Sequence, residues 1–304
     1  AYRASYMLFV TEDTKSEYRV EEYNWLFAAE RADSAGTDII HASLGYNLFD
    51  DSSMDYKTSD VNGKTAIVSK AAAMALDRGI VVVVSAGNEG NNNWHYVTPP
   101  ADVNGIVSVG AVTYAGVRVN FSSVGPTSDG RIKPEVVAVG SGTSVIEPDG
   151  SVSTASGTSL AAPLVTSLLA GLMQKYPSLL PAEIVNAVTA SASQATSPDN
   201  MLGYGIPNYI AVKNYLESSA ANEDVFIFPN PADSSLSLSF RKLPVGDVDL
   251  SFYDAQGKLL ANPIQTLDWL TNPVLIPLEN FAPGTYLLKV KTSTLTRTFR
   301  FVKL

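Results

Sequence analysis

Residues 80–90 read IVVVVSAGNEG. The positions from 80 to 84 are all β-branched and apolar, so both faces of this strand are expected to be buried. Such a strand is typical of the centre of a parallel sheet that is covered by helices. Small and polar residues follow directly, at the carboxyl end of the strand, where α/β sheets place their functional sites. This stretch therefore predicts an α/β domain with a site at residues 85–90.

The surrounding patterns support the same fold class, because helical periodicity alternates with short apolar strands. Gly79 ends one helix as its C-cap, and Pro163 lies in the first turn of another, where proline is tolerated. The predicted helices cover residues 21–34, 66–78 and 159–176, and the predicted strands cover residues 38–44 and 106–112. We expect a three-layer α/β domain with a parallel sheet.

The pattern changes near residue 224, where segments of period 2 separated by turns replace the helices. The charge changes there too: residues 1–224 carry 13 basic and 24 acidic side chains, and residues 225–304 carry 8 and 6. We expect an α/β domain at 1–217, a linker at 218–224 and an antiparallel β-sandwich at 225–304.

Composition excludes several classes of function. The 304 residues carry a formal net charge of −9, which disfavours nucleic acid as a partner. The absence of cysteine excludes disulfides, thiolate metal sites and thiol catalysis within this sequence. Its apolar stretches are shorter than the ~20 residues that a membrane-spanning helix needs.

Residues 157–163 read GTSLAAP and open the last predicted helix of the α/β domain. Ser159 would have an exposed hydroxyl there, and its small neighbours would let a substrate carbonyl approach it. The helix N-terminus would stabilise a negative charge near this hydroxyl. Asn88, after the buried strand, could donate its amide to an oxyanion. Two simpler roles stay open: Ser159 or Thr158 as a helix N-cap, and Asn88 as a turn residue.

Taken together, these stretches resemble the subtilisin-like serine proteases, or subtilases, over about residues 1–216. The resemblance rests on GTSLAAP and residues 85–90, and also on FSSVGP at 121–126 and KPE at 133–135. It implies a subtilisin-like fold that is incomplete at its N-terminal side. The related sedolisins are set aside because they have aspartate in place of Asn88.

The resemblance also implies roles for individual residues. Ser159 would be the nucleophile, and the Asn88 amide with the Ser159 backbone N–H would form the oxyanion hole. Glu89 would lie at the rim of the S1 pocket, where it would favour a basic side chain. The remaining substrate-binding residues would be Thr158 in the nucleophile stretch, Ser43, Leu44 and Gly45 along the substrate backbone, and Ser85, Ala86 and Gly87 as the opposite wall of S1.

A subtilase also needs an aspartate and a histidine that precede the serine, and neither family motif is present. His41 lies within a predicted strand and is expected to be a core or rim residue, and His95 a surface or subsite residue. An apolar run at 6–10 lies close to the start of the sequence, so we expect the sequence to begin inside a domain. The segment with the aspartate and histidine would then be attached, cleaved into a separate chain or absent, and this chain alone would be inactive.

The C-terminal part resembles the type A sorting domain of type IX secretion cargo. The resemblance rests on VFIFPNPA at 225–232, PGTYLLKV at 283–290 and TFRFVKL at 298–304. It implies export across the outer membrane of a Gram-negative bacterium to the surface or medium, with an outer-membrane shuttle and translocon as partners. Two alternatives remain: a sandwich that docks on the catalytic domain or on carbohydrate, and a non-catalytic binding protein or cargo held by the secretion machinery.

An acidic loop offers one candidate metal site. Its aspartates could bind calcium, but they lack the regular spacing of a calcium-binding loop, so a solvated loop is the alternative. The residues concerned are Asp50, Asp51, Asp55 and Asp60. We expect peptides or proteins as substrates and no certain cofactor.

Overall fold

A computed structural model describes residues 1, 3–177, 179–217, 225–240, 243–244, 246–261, 273–293 and 295–304. The chain divides into two compact units, Ala1–Leu216 and Glu217–Leu304. The predicted linker at 218–224 lies outside the described residues.

The first unit is built on a parallel sheet of four strands in the order β1-β2-β3-β4. Its strands are β1 (Ile39–Ala42), β2 (Val81–Ser85), β3 (Val107–Val112) and β4 (Val136–Val139). A hairpin follows, formed by β5 (Thr143–Ile146) and β6 (Val152–Ala155). The helices are α1 (Val20–Ser34), α2 (Ile67–Asp77), α3 (Thr158–Lys175), α4 (Pro181–Ala190) and α5 (Tyr209–Glu217), with short 3-10 turns at Ser52–Met54 and Thr58–Asp60. The predicted α/β class with a parallel sheet is confirmed.

Burial explains the order of the layers. Every residue of β2 and β3 is buried, as the continuous apolar sequence of β2 predicts. Val82 and Val84 share a core with Trp25 of α1 and Ala72 of α2. Helix α3 packs against β2, β3 and β4 outside that core, which produces the layered α/β/α arrangement.

Helix α1 is held to α2 by a buried carboxylate. Glu22 is fully buried and accepts hydrogen bonds from the Tyr56 hydroxyl, at 2.8 and 3.1 Å, and from the Val68 backbone N–H at 2.9 Å. Val68 lies in the first turn of α2, whose N-cap residue Ala66 forms no side-chain cap. Glu22 therefore caps α2 from another helix, and burial raises its pKa.

We expect Glu22→Ala to lower the free energy of unfolding by about 2–3 kcal/mol, because it leaves two buried donors without an acceptor. Urea denaturation measures this change. Glu30→Ala, at an exposed position of the same helix, is the control and should change the free energy by less than about 0.5 kcal/mol. Equal effects of the two substitutions would contradict the capping role.

The second unit contains two antiparallel sheets, in the orders β11-β8-β7 and β10-β9-β12-β13. The strands are β7 (Val225–Phe228), β8 (Ser235–Phe240), β9 (Asp249–Asp254), β10 (Leu259–Ala261), β11 (Val274–Pro277), β12 (Gly284–Lys291) and β13 (Thr296–Lys303). Leu236 and Leu238 from one sheet share a core with Leu250, Leu288 and Phe301 from the other. The predicted antiparallel β-sandwich is confirmed. Among the described residues, no helix is long and apolar enough to cross a membrane.

Candidate active site

Ser159 lies in the first turn of α3, where that helix meets the carboxyl end of the sheet. Gly157 donates its N–H to the carbonyl oxygen of Gly140, which follows β4, at 2.8 Å. A Cβ on Gly140 would come within 2.7 Å of both the Gly157 oxygen and the Ala111 Cβ. Only glycine at position 140 permits this approach, which brings the start of α3 against the sheet. Gly157 and Thr158 are buried, and Ser159 is half-buried.

Asn88 is fixed by the residue that precedes Ser159. The Thr158 backbone N–H and hydroxyl both donate to Asn88 Oδ1, at 2.9 and 3.0 Å. The oxygen is therefore engaged, and the Nδ2 group is the end of the amide left to donate. Nδ2 lies beside Gly157, 3.8 Å from the position that a Cβ there would occupy. The side chain as a whole is exposed.

The predicted walls of the S1 pocket leave the sheet side by side. His41 and Ala42 of β1 pair with Val83 and Val84 of β2, so the segments after these two strands are neighbours. Ser43 Oγ donates to the carbonyl oxygen of Ser159 at 3.2 Å. The structure thus brings Ser43, Thr158, Ser159 and Asn88 together. The other residues predicted to line S1 lie in the same two segments. Ser85 and Ala86 are buried and Gly87 is half-buried in the segment at the end of β2. Leu44 is half-buried and Gly45 is exposed in the segment after β1.

The sequence profile of the subtilase family matches residues 4–205. The chain belongs to the subtilase family. The profile of a secretion-system C-terminal sorting domain matches residues 226–303.

Relatives of this subtilase include subtilisin DY from Bacillus licheniformis, 32% identical over 165 residues, which are 54% of this chain and 53% of subtilisin DY. Mycosin-1 from Mycobacterium tuberculosis is 29% identical over 228 residues, which are 66% of this chain and 51% of mycosin-1. The chain thus spans about half the length of these relatives.

Solved structures share the fold. The self-cleaved protease domain of PatA superposes with a TM-score of 0.54 at 22% identity, covering 66% of this chain and 69% of that domain. The prenylagaramide maturation protease PagA superposes with a TM-score of 0.53 at 24% identity, covering 64% of this chain and 67% of PagA. At these identities the likeness concerns the fold.

Both histidines of the subtilase chain lie at hydrogen-bond distance from groups other than the Ser159 hydroxyl. His41 is exposed at the rim of the site, with Nε2 3.1 Å from Ser43 Oγ and Nδ1 2.9 Å from Thr166 Oγ1. His95 has a positive φ of 67° and places Nδ1 2.8 Å from the carbonyl oxygen of Gly90. His41 was expected in the core or at the rim, and its exposure excludes the core.

Glu89 lies next to Asn88, but its backbone N–H and its carboxylate form hydrogen bonds with neighbouring loops. Its backbone N–H donates to Ser123 Oγ at 3.0 Å, and its carboxylate accepts a hydrogen bond from the Asn92 amide. The preference for a basic substrate side chain, which was expected from Glu89, stays a prediction.

The four aspartates considered for calcium each accept a backbone N–H. Asp50, Asp51, Asp55 and Asp60 bind the N–H groups of Glu17, Ser53, Phe49 and Lys57, at 3.3, 2.9, 2.8 and 2.8 Å. Asp51, Asp55 and Asp60 thus cap their own loop, and Asp50 binds a segment 33 residues away, so the solvated-loop alternative stays the expectation. Within the described ranges, the acidic groups that approach one another to within 4.8 Å are instead those of Glu12, Glu17 and Glu21.

This second acidic group makes stability depend on pH. Burial, followed by the charges of Glu21, Glu12 and Asp50, raises the pKa of Glu17 from its usual 4.5 to about 7. Between these two values the folded chain holds a proton that the unfolded chain has released. Glu17 therefore destabilises the fold progressively as pH rises from 4.5 to about 7.

We expect Glu17→Gln to raise the Tm by about 2 °C at pH 8 and to leave it unchanged at pH 4.5, because glutamine does not titrate. Thermal unfolding at the two pH values measures the difference. Glu30→Gln, at an exposed position, should show no such dependence on pH. A Tm shift of the same size at both pH values would show that charge on Glu17 is not its cause.

Proposed function

We propose that this chain carries the nucleophile, oxyanion hole and substrate cleft of an exported serine endopeptidase. The observation that carries this proposal is the anchoring of Asn88. Thr158 holds Oδ1 by two hydrogen bonds, which presents Nδ2 beside the residue at which α3 begins. Preorganised donors such as this amide stabilise the charge that develops in the transition state, and this stabilisation is usually the largest single contribution to catalysis of acyl transfer.

The reaction begins when Ser159 Oγ attacks the carbonyl carbon of a substrate peptide bond. The carbonyl oxygen becomes an oxyanion, which accepts hydrogen bonds from Asn88 Nδ2 and the Ser159 backbone N–H. That N–H lies in the first turn of α3, where helical N–H groups have no partner within the helix. Collapse of the intermediate breaks the C–N bond, the amine leaves with the proton from Ser159, and water hydrolyses the acyl-enzyme.

The proton carrier is a histidine–aspartate pair on a segment outside this sequence, either attached to the chain or separate from it. An exposed apolar surface of the chain is the place where we propose that this segment docks. Residues 6–10 are exposed, with Leu8 at 90% and Val10 at 95%, and Phe27 of α1 is 60% exposed. Phe9, Val10 and Phe27 line a hollow of about 360 Å³. A protein rarely leaves an apolar surface of this kind uncovered.

The second unit, residues 225–304, directs the protease through the type IX secretion pathway. The matched sorting profile at 226–303 and the independent sandwich core support this role. The partners are an outer-membrane shuttle and translocon, and the destination is the cell surface or the medium of a Gram-negative bacterium. The alternative function is a catalytically incomplete cargo or binding protein that the secretion machinery holds.

A fluorophosphonate serine-hydrolase probe tests the proposal, because it reacts with a serine that a complete triad activates. The purified chain is treated with and without the segment that bears aspartate and histidine, and the adduct is mapped by mass spectrometry. We expect an adduct at Ser159 when the segment is present and none when it is absent. An adduct at another serine, or none with the segment present, would favour the non-catalytic alternative.

A further inference from the structure

The backbone carbonyl group of Ser159 lacks the donor that an α-helix normally supplies. In an α-helix each carbonyl oxygen accepts the N–H of the residue four positions later. For Ser159 in α3 that residue is Pro163, which has no N–H. Ser43 Oγ donates to this oxygen at 3.2 Å and replaces the missing donor. The Ser43 hydroxyl thus supports the backbone of the residue that we propose as the nucleophile.

The same hydroxyl faces a second acceptor. Ser43 Oγ lies 3.1 Å from Nε2 of His41, which belongs to β1. A hydroxyl carries a single proton, so Ser43 cannot donate fully to both the imidazole nitrogen and the Ser159 carbonyl oxygen. The protonation state of Nε2 therefore decides which of the two acceptors receives the Ser43 proton.

Thr166 of α3 determines which nitrogen of the neutral His41 ring carries the proton. Thr166 Oγ1 donates to the carbonyl oxygen of Ala162 at 3.0 Å, which uses its only proton. His41 Nδ1 lies 2.9 Å from Thr166 Oγ1 and must then be the donor of that pair. On this hydrogen-bond network, the neutral ring carries its proton on Nδ1 and leaves Nε2 as an acceptor for Ser43.

Few charged groups surround His41. Strand β1 packs against β2 and α3, and Ala42, the neighbour of His41, points instead into the core shared with α1 and α2. Strand β2 has no titratable residue, and α3 carries Lys175 at its last position and binds the Ala1 ammonium through Ser167 Oγ at 3.2 Å. The cause of the shift in the pKa of His41 is neither cation but partial desolvation of the ring, which lowers it from the usual 6.5. His41 is therefore expected to be neutral at neutral pH and to bind a proton in mildly acidic solution.

We propose that His41 is a positioning residue of the proposed reaction, whose protonation directs the Ser43 hydroxyl to the Ser159 carbonyl. When His41 is neutral, Nε2 competes with the carbonyl oxygen for the Ser43 proton. When His41 is protonated, Nε2–H donates to Ser43 Oγ, and the Ser43 proton turns to the carbonyl oxygen. The first turn of α3, with the nucleophile and its backbone N–H, is then held more firmly to the segment after β1. This inference rests on the proposed function, because it concerns the same serine.

Nuclear magnetic resonance of the full chain, labelled with ¹³C and ¹⁵N, tests the hydrogen bond without turnover and without any added segment. The HNCO spectrum gives the ¹³C shift of the Ser159 carbonyl, and the ring nitrogens of both histidines are followed over the same pH series. The variants are Ser43→Ala, which removes the hydroxyl, and His41→Phe, which keeps a ring without nitrogens. His95→Asn is the control, because the sequence has only two histidines and asparagine tolerates the positive φ at position 95.

We expect the Ser159 carbonyl shift of the parent chain to titrate with the same midpoint as the His41 ring, and the neutral His41 ring to carry its proton on Nδ1. His95→Asn should keep this titration, whereas Ser43→Ala and His41→Phe should abolish it. A carbonyl shift that does not follow the His41 midpoint, or one that still follows it in Ser43→Ala, overturns the inference. The probe does not enter this measurement, so the inference and the proposed function can fail separately.

The rate of fluorophosphonate labelling at pH 8, with the aspartate–histidine segment present, extends the test to catalysis. We expect Ser43→Ala to slow labelling of Ser159 about three- to tenfold, and His41→Phe to raise it about twofold, because the competing acceptor is removed. The gain should disappear when both substitutions are combined, since His41 acts through Ser43. A His41→Phe chain that is labelled no faster than the parent, or a gain that survives without the Ser43 hydroxyl, contradicts this positioning role.

Discussion

Asn88→Ala is expected to slow acylation of Ser159 by about 10²–10³-fold, which is the loss known for removing an oxyanion-hole asparagine from a subtilisin, a member of this family. The physical reason is that, in the proposed mechanism, Nδ2 donates to charge that exists only in the transition state. Substrate affinity should therefore change little, and the effect should fall on the rate. The rate of fluorophosphonate labelling, measured with the aspartate–histidine segment present, reports it.

The variant Thr158→Val separates the effect of the orientation of the Asn88 amide from the effect of its presence. Thr158→Val removes the hydroxyl that donates to Asn88 Oδ1 but keeps the backbone N–H that donates to the same oxygen. We expect about a tenfold loss, because one of two anchors remains. Asn91→Ala, in the exposed loop that follows, is the matched control. A labelling rate for Asn88→Ala within twofold of the parent would remove Asn88 from the proposed machinery.

The fold class could be predicted from sequence because its signals are local. The apolar run at 80–84 predicts a buried strand. The glycine and alanine residues around Ser159 indicate where a helix can pack closely against the sheet. The strand prediction at 38–44 was longer than β1, which covers Ile39–Ala42. Residues 43 and 44 instead lie beyond the end of β1, and Ser43 Oγ donates a hydrogen bond to the carbonyl oxygen of Ser159.

Other features depend on contacts between distant segments, which no local pattern reveals. Thr98 is an example, because its side chain packs against Gly45 and Gly87, which belong to two other segments of the chain. The aspartates at 50–60 are clustered in the sequence and were therefore considered as a metal site. The three carboxylates that lie within 4.8 Å of one another in the structure belong instead to Glu12, Glu17 and Glu21. The loop conformation explains this difference, because each aspartate accepts a backbone N–H, from within its own loop or, for Asp50, from Glu17.

The KPE stretch at 133–135 contains a buried ion pair that ties β3 to β4. Lys133 is 1% exposed, and its Nζ donates to the Val103 carbonyl at 2.6 Å and to Glu135 Oε1 at 2.5 Å. Glu135 Oε2 accepts the backbone N–H and the hydroxyl of Ser108, in β3, at 2.8 and 2.6 Å. Burial lowers the pKa of Lys133, so the ammonium depends on Glu135 to remain charged inside the fold.

Lys133→Ala is therefore expected to lower the free energy of unfolding by about 3–5 kcal/mol, because it leaves the Glu135 carboxylate, which is only 15% exposed, without its cation. Urea unfolding followed by tryptophan fluorescence measures this loss. Trp269→Phe in every protein leaves Trp25 and Trp94, which both lie in the first unit, as the reporters.

The double variant Lys133→Met with Glu135→Gln distinguishes loss of charge balance from loss of packing. Because it removes both charges and keeps similar volumes, we expect it to recover more than half of the stability lost in Lys133→Ala. Lys175→Ala, at the exposed end of α3, should change the free energy by less than about 0.5 kcal/mol. If the double variant were as unstable as Lys133→Ala, the lysine stem would be holding β3 and β4 together by packing rather than by charge.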